Sequence, residues 1–277
     1  MSESQAGSAT EVGRLSLKAT YKVLVLGSSD ITASESGESA TLPYLLRKEL
    51  ERRFPEATWC VESAMLYPMA NMAGRVEAGI ERVRPDVVHL TMGANTFIEK
   101  TVLFSIRRRW PWAYRAASGV FGAVKGVAGG GTEGSPSARG AIFRVPRGVG
   151  RRVFGMASML EPETALDATR QAFAMLASKG TPVVVRLAEG GVQQKDQREA
   201  ARKITDAYNA EVRAMCERSG FPVFRLSEEL GHRYGRTPDG LHADLPTRIY
   251  GAARTADLVV AALELEGAAP SPPAAGS

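Results

Sequence analysis

Five short runs of aliphatic and β-branched residues alternate along this chain with patterns typical of amphipathic helices. The runs occupy residues 22–26, 58–61, 86–91, 182–187 and 222–226. The helical patterns occupy residues 42–54, 72–83, 163–177, 198–216 and 249–263. Strands that are joined through helices pair in parallel by right-handed crossovers, and helices then cover both faces of the sheet. The sequence therefore predicts an α/β protein with a three-layer, flavodoxin-like fold and a five-stranded parallel sheet.

The two ends of the chain differ in composition from the part between them. Residues 1–20 are mostly small and polar, and residues 267–277 are Pro, Ala, Ser and Gly only. Such segments cannot bury enough apolar surface to offset the entropy of ordering. We predict disordered tails at 1–20 and 267–277, which flank one domain at 21–266. The chain is 44% hydrophobic, which suffices for a sizeable core.

The formal charge of +5 originates in one segment of the chain. Residues 101–155 contain ten basic residues and one acidic residue, whereas the rest of the chain contains 25 basic and 29 acidic residues. This distribution argues against nucleic-acid binding over the whole surface and leaves a local contact with an anionic ligand or membrane. We predict that residues 101–155 form a basic insertion after the third strand.

Cysteine usage and hydropathy indicate an ordinary intracellular protein. Cys60 and Cys216 lie far apart without metal-ligand spacing, so neither a disulfide framework nor a metal site is predicted. We assign Cys60 to the core and Cys216 to a helix. The chain has no run of 18 apolar residues, and its first residues are acidic and polar where a signal peptide is basic and then apolar. A cytoplasmic location is expected.

Chemically capable side chains follow two of the predicted strands, at the edge where parallel sheets place their functional residues. Ser29 follows the first strand in GSSDIT, where a tight turn exposes a hydroxyl as a nucleophile. Asn95 follows the third strand in MGANTF, where a side-chain amide donates to an oxyanion. Taken singly, each is explained as well by an ordinary turn and helix cap.

A third candidate motif, PDGLHAD, precedes the last helix. Asp239 stands three residues before His242, a spacing that lets the carboxylate hold the imidazole Nδ1 while Nε2 accepts a proton from a serine. The alternative is a Pro-Asp-Gly turn with an incidental histidine. We predict that His89 is a structural residue of its apolar strand and that His232 lies on the surface.

The conjunction of the three motifs is more informative than any one of them. A parallel sheet brings the ends of the first and third strands and the segment before the last helix to one edge. Nucleophile, oxyanion donor, general base and orienting acid are then complete, which favours nucleophilic catalysis.

At these residues the sequence resembles the SGNH hydrolases, also called GDSL esterases and lipases. VLVLGSSDIT resembles their first block, Gly-Asp-Ser after strand one; LTMGANTF resembles the third, Gly-x-Asn-Asp; and DGLHAD resembles the fifth, Asp-x-x-His. The resemblance covers about residues 21–266 apart from the basic segment. It implies Ser29 as nucleophile, His242 as general base, Asp239 as its orienting acid and Asn95 as oxyanion donor, with no metal or cofactor.

The sequence departs from the family pattern at three places. Ser28 stands where the family has aspartate, which leaves Ser28 as an alternative nucleophile, although alignment on Gly27 favours Ser29. Thr96 stands where an acid follows the asparagine. No glycine stands near Tyr67, where the family has a glycine whose backbone N–H donates to the oxyanion.

By this resemblance the protein is a serine hydrolase that cleaves a carboxylic ester or thioester through an acyl-serine intermediate. The substrate is then a small-molecule acyl ester or a carrier-borne acyl group. An acyltransferase that uses the same triad with a non-water acceptor is one alternative. A non-catalytic binder of an anionic lipid or partner on the same fold is the other.

Aromatic residues accompany the basic ones in the segment 101–155. Arg107, Arg108 and Arg109 directly precede Trp110, and a glycine-rich stretch follows. Arginine suits anionic groups and tryptophan suits an acyl chain, so we predict a lid in which these four residues bind substrate. Peripheral membrane contact through the same segment is a second interpretation. A solvated loop whose tryptophans pack on the body is the alternative.

Overall fold

The computed structural model describes residues 20–28, 31, 40–66, 69–93, 95–98, 100–112, 157–190, 197–237 and 242–263. Thr20, the last residue of the predicted N-terminal tail, is the first residue of a strand; the rest of both predicted tails and most of the segment 101–155 lie outside these ranges. The predictions of disorder at the ends and of a lid therefore stay predictions.

Strands and helices alternate through the described chain. The strands are β1 (Thr20–Gly27), β2 (Thr58–Met65), β3 (Val87–Thr91), β4 (Lys100–Thr101), β5 (Ala157–Ser158), β6 (Val183–Arg186) and β7 (Val223–Phe224). The helices are α1 (Leu42–Arg53), α2 (Met72–Val83), α3 (Asn95–Ile98), α4 (Val102–Arg109), α5 (Pro162–Lys179), α6 (Arg198–Ser219), α7 (Leu226–Leu230) and α8 (Leu245–Ala262).

The main sheet has five strands in the order β2-β1-β3-β6-β7, and every neighbouring pair is parallel. This confirms the predicted five-stranded parallel sheet of a flavodoxin-like fold. The chain first steps outward from β1 to β2 and then crosses back to β3 on the other side of β1. The carboxyl ends of β1 and β3 therefore flank the topological switch point, where doubly wound sheets bind their ligands.

The core has two layers because successive strand residues point to opposite faces of the sheet. Leu24 and Leu26 of β1 pack with α2, α5 and α6 on one face. Val23 and Val25 pack with α1 and α8 on the other. All four side chains are fully buried, which explains why β1 reads as a continuous apolar run in the sequence.

The bounds of several elements differ from the prediction, and three of the differences have a clear physical reason. The edge strand β2 continues to Met65, beyond the predicted end at residue 61, because its exposed face carries polar residues that hide the strand pattern. Strand β7 has only two residues, and Leu226 instead begins α7. Helix α8 begins at Leu245, before the predicted start at residue 249, since the Asp244 side chain accepts a hydrogen bond from the Thr247 N–H at 3.0 Å.

The two cysteines have different environments. Cys60 is exposed on β2, so its assignment to the core was wrong. Its side chain lies on the opposite face of the strand from those of its neighbours, the buried Trp59 and the half-buried Val61. Cys216 lies on helix α6, as predicted; it is buried, and burial raises the pKa of its thiol to about 12.

A short antiparallel pair of strands, β4 and β5, joins the two ends of the basic segment. Lys100 pairs with Ser158, and Thr101 pairs with Ala157, so the chain leaves and returns at adjacent positions. Helix α4 follows β4 directly; no regular element was predicted there. Among the described residues, no helix has the length and apolar character needed to cross a membrane.

Candidate active site

The turns that follow β1 and β3 touch each other. A Cβ placed on Gly27 would lie 3.2 Å from the Thr91 Cβ, and a Cβ placed on Gly93 would lie 3.1 Å from the Ser28 Oγ. Both distances are tighter than ordinary carbon contacts, so the absence of a side chain at each glycine is what lets the turns approach. The sheet therefore brings the predicted serine and asparagine motifs together, as the sequence indicates.

Ser28 is described and Ser29 is not. The Ser28 carbonyl accepts a hydrogen bond from the Ile31 N–H at 3.2 Å. Ser28 is half-buried, with its hydroxyl directed at Gly93. Ser29 lies outside the described residues, so its role as nucleophile stays a prediction.

Asn95 is the first residue of α3, and its side chain lies outside what the structure describes. The two residues that anchor this short helix are described. Phe97 and Ile98 are buried in the core, and the Phe97 ring lies 4.6 Å from the Tyr208 ring, centroid to centroid. The packing of this short helix against α6 thus fixes the backbone at Asn95.

His242 sits at the end of a closed loop. Arg236 and Ala243 form an antiparallel bridge, and the His242 carbonyl accepts hydrogen bonds from the Thr237 N–H at 2.9 Å and the Thr237 hydroxyl at 3.2 Å. Asp239 belongs to the part of this loop that lies outside the described residues. The half-buried His242 is therefore held by its backbone, and its predicted pairing with Asp239 stays a prediction.

Two arginines tie the His242 loop to the rest of the carboxyl edge. Arg248 donates from Nε to the Ala243 carbonyl at 2.7 Å and from Nη1 to the Ala40 carbonyl at 3.3 Å. Arg236 donates from Nη2 to the Glu189 carbonyl at 2.6 Å, in the loop that follows β6. Sequence reasoning missed both residues, since an arginine that binds backbone oxygens needs no partner of a particular residue type.

The loop after β6 is held in turn by α6 and α7. The Asn209 amide makes two hydrogen bonds to the Ala188 backbone, from Nδ2 to the carbonyl at 2.8 Å and from the Ala188 N–H to Oδ1 at 3.1 Å. Glu189 Oε1 accepts from the Leu226 N–H at 2.8 Å, at the start of α7. The loop whose Glu189 carbonyl binds Arg236 is therefore held by hydrogen bonds to α6 and to the start of α7.

His89 lies beneath this edge and is structural, as predicted. It is fully buried on β3, with Nε2 3.1 Å from the Thr91 Oγ1 and its ring stacked on Phe224. Burial, and secondarily the charge of Arg186, lowers the pKa of His89 to about 3. The imidazole is therefore neutral at physiological pH and out of reach of substrate. His232 is exposed, as predicted.

The substrate-binding candidates lie at the end of α4. Arg107, Arg108, Arg109 and Trp110 are all exposed, and Arg108 forms an ion pair with Glu161. Their contact with substrate stays a prediction. Within the described ranges, no three His, Cys, Asp or Glu side chains come together as metal ligands.

Three solved structures have a similar fold. An α/β hydrolase enzyme from the metagenome of Lake Arreo, Spain, has a TM-score of 0.52 at 15% identity, over 90% of this chain and 97% of that chain. The acetyl xylan esterase AlAXEase has a TM-score of 0.51 at 12% identity, over 86% and 99%. A variant of Axe2, an acetyl-xylooligosaccharide esterase from Geobacillus, has a TM-score of 0.50 at 12% identity, over 91% and 97%.

The fold is that of the SGNH hydrolases. No family model and no curated protein matches the sequence, so the likeness is one of fold, at 12–15% identity. The SGNH fold was predicted from three short motifs, and the structure agrees with that prediction. In this fold the β1 and β3 turns and the His242 loop occupy one edge of the sheet.

Proposed function

We propose that the protein is a serine hydrolase that cleaves a carboxylic ester or thioester through an acyl-serine intermediate. Ser29 is the nucleophile, His242 the general base, Asp239 its orienting acid and Asn95 an oxyanion donor. The solved structures with the same fold include esterases by name, which supports ester chemistry for this chain.

The reaction has two halves. In the first, Ser29 Oγ forms a bond to the acyl carbon while His242 Nε2 takes the hydroxyl proton, and the Asn95 amide stabilises the oxyanion. The tetrahedral intermediate then expels the alkoxide or thiolate, which His242 protonates. In the second half, water attacks the acyl-serine with His242 as base, and the acid and free serine are released.

The observation that carries the proposal is the contact between the Ser28 side chain and Gly93, together with the Arg248 bridge. The first joins the serine motif to the asparagine motif. The second joins the residue after His242 to Ala40, near the end of the stretch that follows the serine motif. Because these links converge from three distant parts of the sequence, they support one catalytic centre at this edge.

Ser29 is favoured over Ser28 by the alignment of the serine motif on the preceding Gly27. The test is labelling with a fluorophosphonate, which reacts with activated serines, followed by peptide mapping. We expect label on wild type and Ser28→Ala, and none on Ser29→Ala. Label that persists in Ser29→Ala and disappears in Ser28→Ala would move the nucleophile to Ser28. No label on any folded variant would reject the hydrolase and favour the non-catalytic binder.

Acetyl esters are the first substrates to test, since two of the neighbours act on acetylated xylan or its oligosaccharides by name. Release of acetate from p-nitrophenyl acetate and from acetylated xylo-oligosaccharides would define the leaving group. Addition of an alcohol or amine acceptor then separates hydrolysis from transfer. Water as acceptor yields the free acid, whereas an acyltransferase yields the new ester or amide.

A further inference from the structure

A buried hydrogen bond lies beside the backbone that carries the serine motif. His89 and Thr91 are two residues apart on β3, so their side chains lie on the same face of the sheet. The Thr91 Oγ1 and the His89 Nε2 are 3.1 Å apart, and neither residue exposes more than 2% of its surface. An unpaired polar atom in so dry a position is costly, so this bond holds the Thr91 side chain in one rotamer.

That rotamer decides which part of Thr91 meets the serine motif. A Cβ placed on Gly27 would lie 3.2 Å from the Thr91 Cβ and 3.8 Å from the Thr91 Oγ1, so the hydroxyl is the nearer of the two Thr91 branches. The same Cβ would lie 3.0 Å from Cγ2 of the buried Ile31. Gly27 is thus tightly packed, and a methyl group in place of the smaller hydroxyl would press on its backbone.

Gly27 leads directly to the two serines of the motif. Ser28 has its Oγ 3.1 Å from a Cβ placed on Gly93, and its carbonyl accepts the hydrogen bond from the Ile31 N–H at 3.2 Å. A shift of Gly27 therefore moves Ser28 against Gly93 and changes the point from which the chain continues to Ser29. Catalysis is sensitive to such shifts, because much of the rate comes from reacting groups held in a fixed geometry.

We propose that Thr91, held in its rotamer by His89, is a positioning residue whose hydroxyl sets the backbone of Gly27 and Ser28 for the nucleophile. Its catalytic consequence rests on the proposed hydrolase function, whereas its structural part is measured without substrate. Neither Thr91 nor His89 touches substrate or exchanges a proton with it. The alternative is a threonine that only fills the core.

Two substitutions separate the hydroxyl of Thr91 from its shape. Thr91→Val keeps the branched shape, removes the hydrogen bond and puts a methyl group where the oxygen was. Thr91→Ser keeps the hydroxyl and loses only the methyl group. We expect Thr91→Val to lower kcat for p-nitrophenyl acetate and the rate of fluorophosphonate labelling about tenfold, with KM nearly unchanged. Thr91→Ser is expected to stay within about threefold of wild type in both rates.

The second measurement is hydrogen exchange of the Ile31 amide, which donates to the Ser28 carbonyl. It reports how firmly the backbone of the serine motif is held in the absence of any substrate. We expect exchange to be about fivefold faster in Thr91→Val, the factor that loss of one typical hydrogen bond gives, and unchanged in Thr91→Ser.

Thr255 supplies the matched control. It is fully buried on α8, and its hydroxyl donates to the Gly251 carbonyl of the same helix at 2.8 Å. Thr255→Val and Thr255→Ser are expected to be labelled, and to exchange at Ile31, as wild type is. Urea unfolding of all four variants gives the folded fraction, so that every rate is compared per folded molecule.

Three outcomes would overturn the proposal. Labelling and Ile31 exchange in Thr91→Val that equal those of wild type would leave Thr91 a core residue. Equal impairment of Thr91→Ser and Thr91→Val would assign the effect to the methyl group. Equal impairment of the Thr255 variants would trace it to a general loss of stability. Wild type without any label rejects the hydrolase instead, and Ile31 exchange alone then decides whether Thr91 holds the serine motif.

Discussion

Arg248 donates from Nε to the Ala243 carbonyl at 2.7 Å, one residue beyond His242. The same guanidinium reaches the carbonyl of the buried Ala40. The Arg248 side chain of α8 thus fixes the backbone next to the proposed general base and connects it with the segment that precedes α1.

Arg248→Ala is expected to lower kcat of the proposed hydrolase roughly ten- to a hundredfold, because small displacements of a catalytic group are costly. KM should change little, since Arg248 is not proposed to touch substrate. Loss of two hydrogen bonds to backbone oxygens should also lower the free energy of unfolding by about 1–3 kcal/mol. Steady-state kinetics with a p-nitrophenyl ester and urea unfolding measure both effects.

The control for Arg248 is Arg254→Ala on the same helix, which loses an ion pair with Glu229 at 2.9 Å. It is expected to keep the wild-type kcat. Equal loss of kcat in both variants would trace the effect to α8 as a whole and contradict a specific role for Arg248.

Gly93→Ala should disrupt the proposed site while the fold is kept. The new Cβ would lie 3.1 Å from the Ser28 Oγ and 3.3 Å from its Cβ, so the serine turn must shift. Fluorophosphonate labelling should slow about tenfold or more, and stability should fall by about 1–3 kcal/mol. Gly79→Ala is the matched control, because its Cβ would meet only the ends of the Leu24 and Leu26 side chains, at 3.1 and 3.5 Å. Unchanged labelling in Gly93→Ala would show that the two turns do not form one site.

His89 makes stability sensitive to acid. Its pKa is lowered to about 3, against an ordinary value of 6.5, so below pH 6.5 the unfolded chain binds a proton that the folded protein does not. The stabilisation from the neutral ring is complete above pH 6.5 and is lost as the pH falls towards 3, by up to about 1.4 kcal/mol per pH unit.

His89→Gln is therefore expected to be less stable than wild type at pH 7 but to lose about 2 kcal/mol less between pH 7 and pH 5. Urea unfolding at both pH values measures this difference. Val87→Ala, a buried change on the same strand without a titrating group, should lower stability equally at both pH values. An equal loss of unfolding free energy between pH 7 and pH 5 in His89→Gln and wild type would contradict the prediction.

Asn209 is expected to be a strong determinant of stability. Asn209→Ala leaves the Ala188 N–H and carbonyl without the amide that binds them, in a buried position, which should cost about 2–4 kcal/mol. Glu211→Ala, an exposed change on the same helix, should stay within about 0.5 kcal/mol of wild type. Chemical denaturation measures the free energy of unfolding of both variants. Equal losses in the two would show that the Asn209 hydrogen bonds contribute little to stability.

The central strands could be predicted from the sequence because both their faces are buried. Strands β1, β3 and β6 consist of residues that are nearly all shielded from water, so they appear as continuous apolar runs. The end of β2 was missed since an edge strand exposes polar residues. Helices α4 and α7 have eight and five residues, too few for a periodic pattern to be distinct.

The sequence predicts which residues could form the candidate site, but it does not predict which residues hold their backbone in place. Ser29, Asn95 and His242 stand in motifs whose spacing predicts a chemistry. Arg236 and Arg248 bind backbone carbonyls, and a backbone carbonyl is present at every residue. Their roles follow only from the positions that the folded chain gives them.

The sequence by itself determined the kind of layers, because strands and helices that alternate between water and core show distinct hydrophobic periods. Its short motifs predict a kind of chemistry, which the proposed experiments test. Tertiary structure alone decided the strand order β2-β1-β3-β6-β7, the contact of Ser28 with Gly93 and the bridge from Arg248 to Ala40 and Ala243. Ser28 and Gly93 are 65 positions apart in the chain and Arg248 and Ala40 are 208 apart, so packing of the whole sheet and its helices sets these distances.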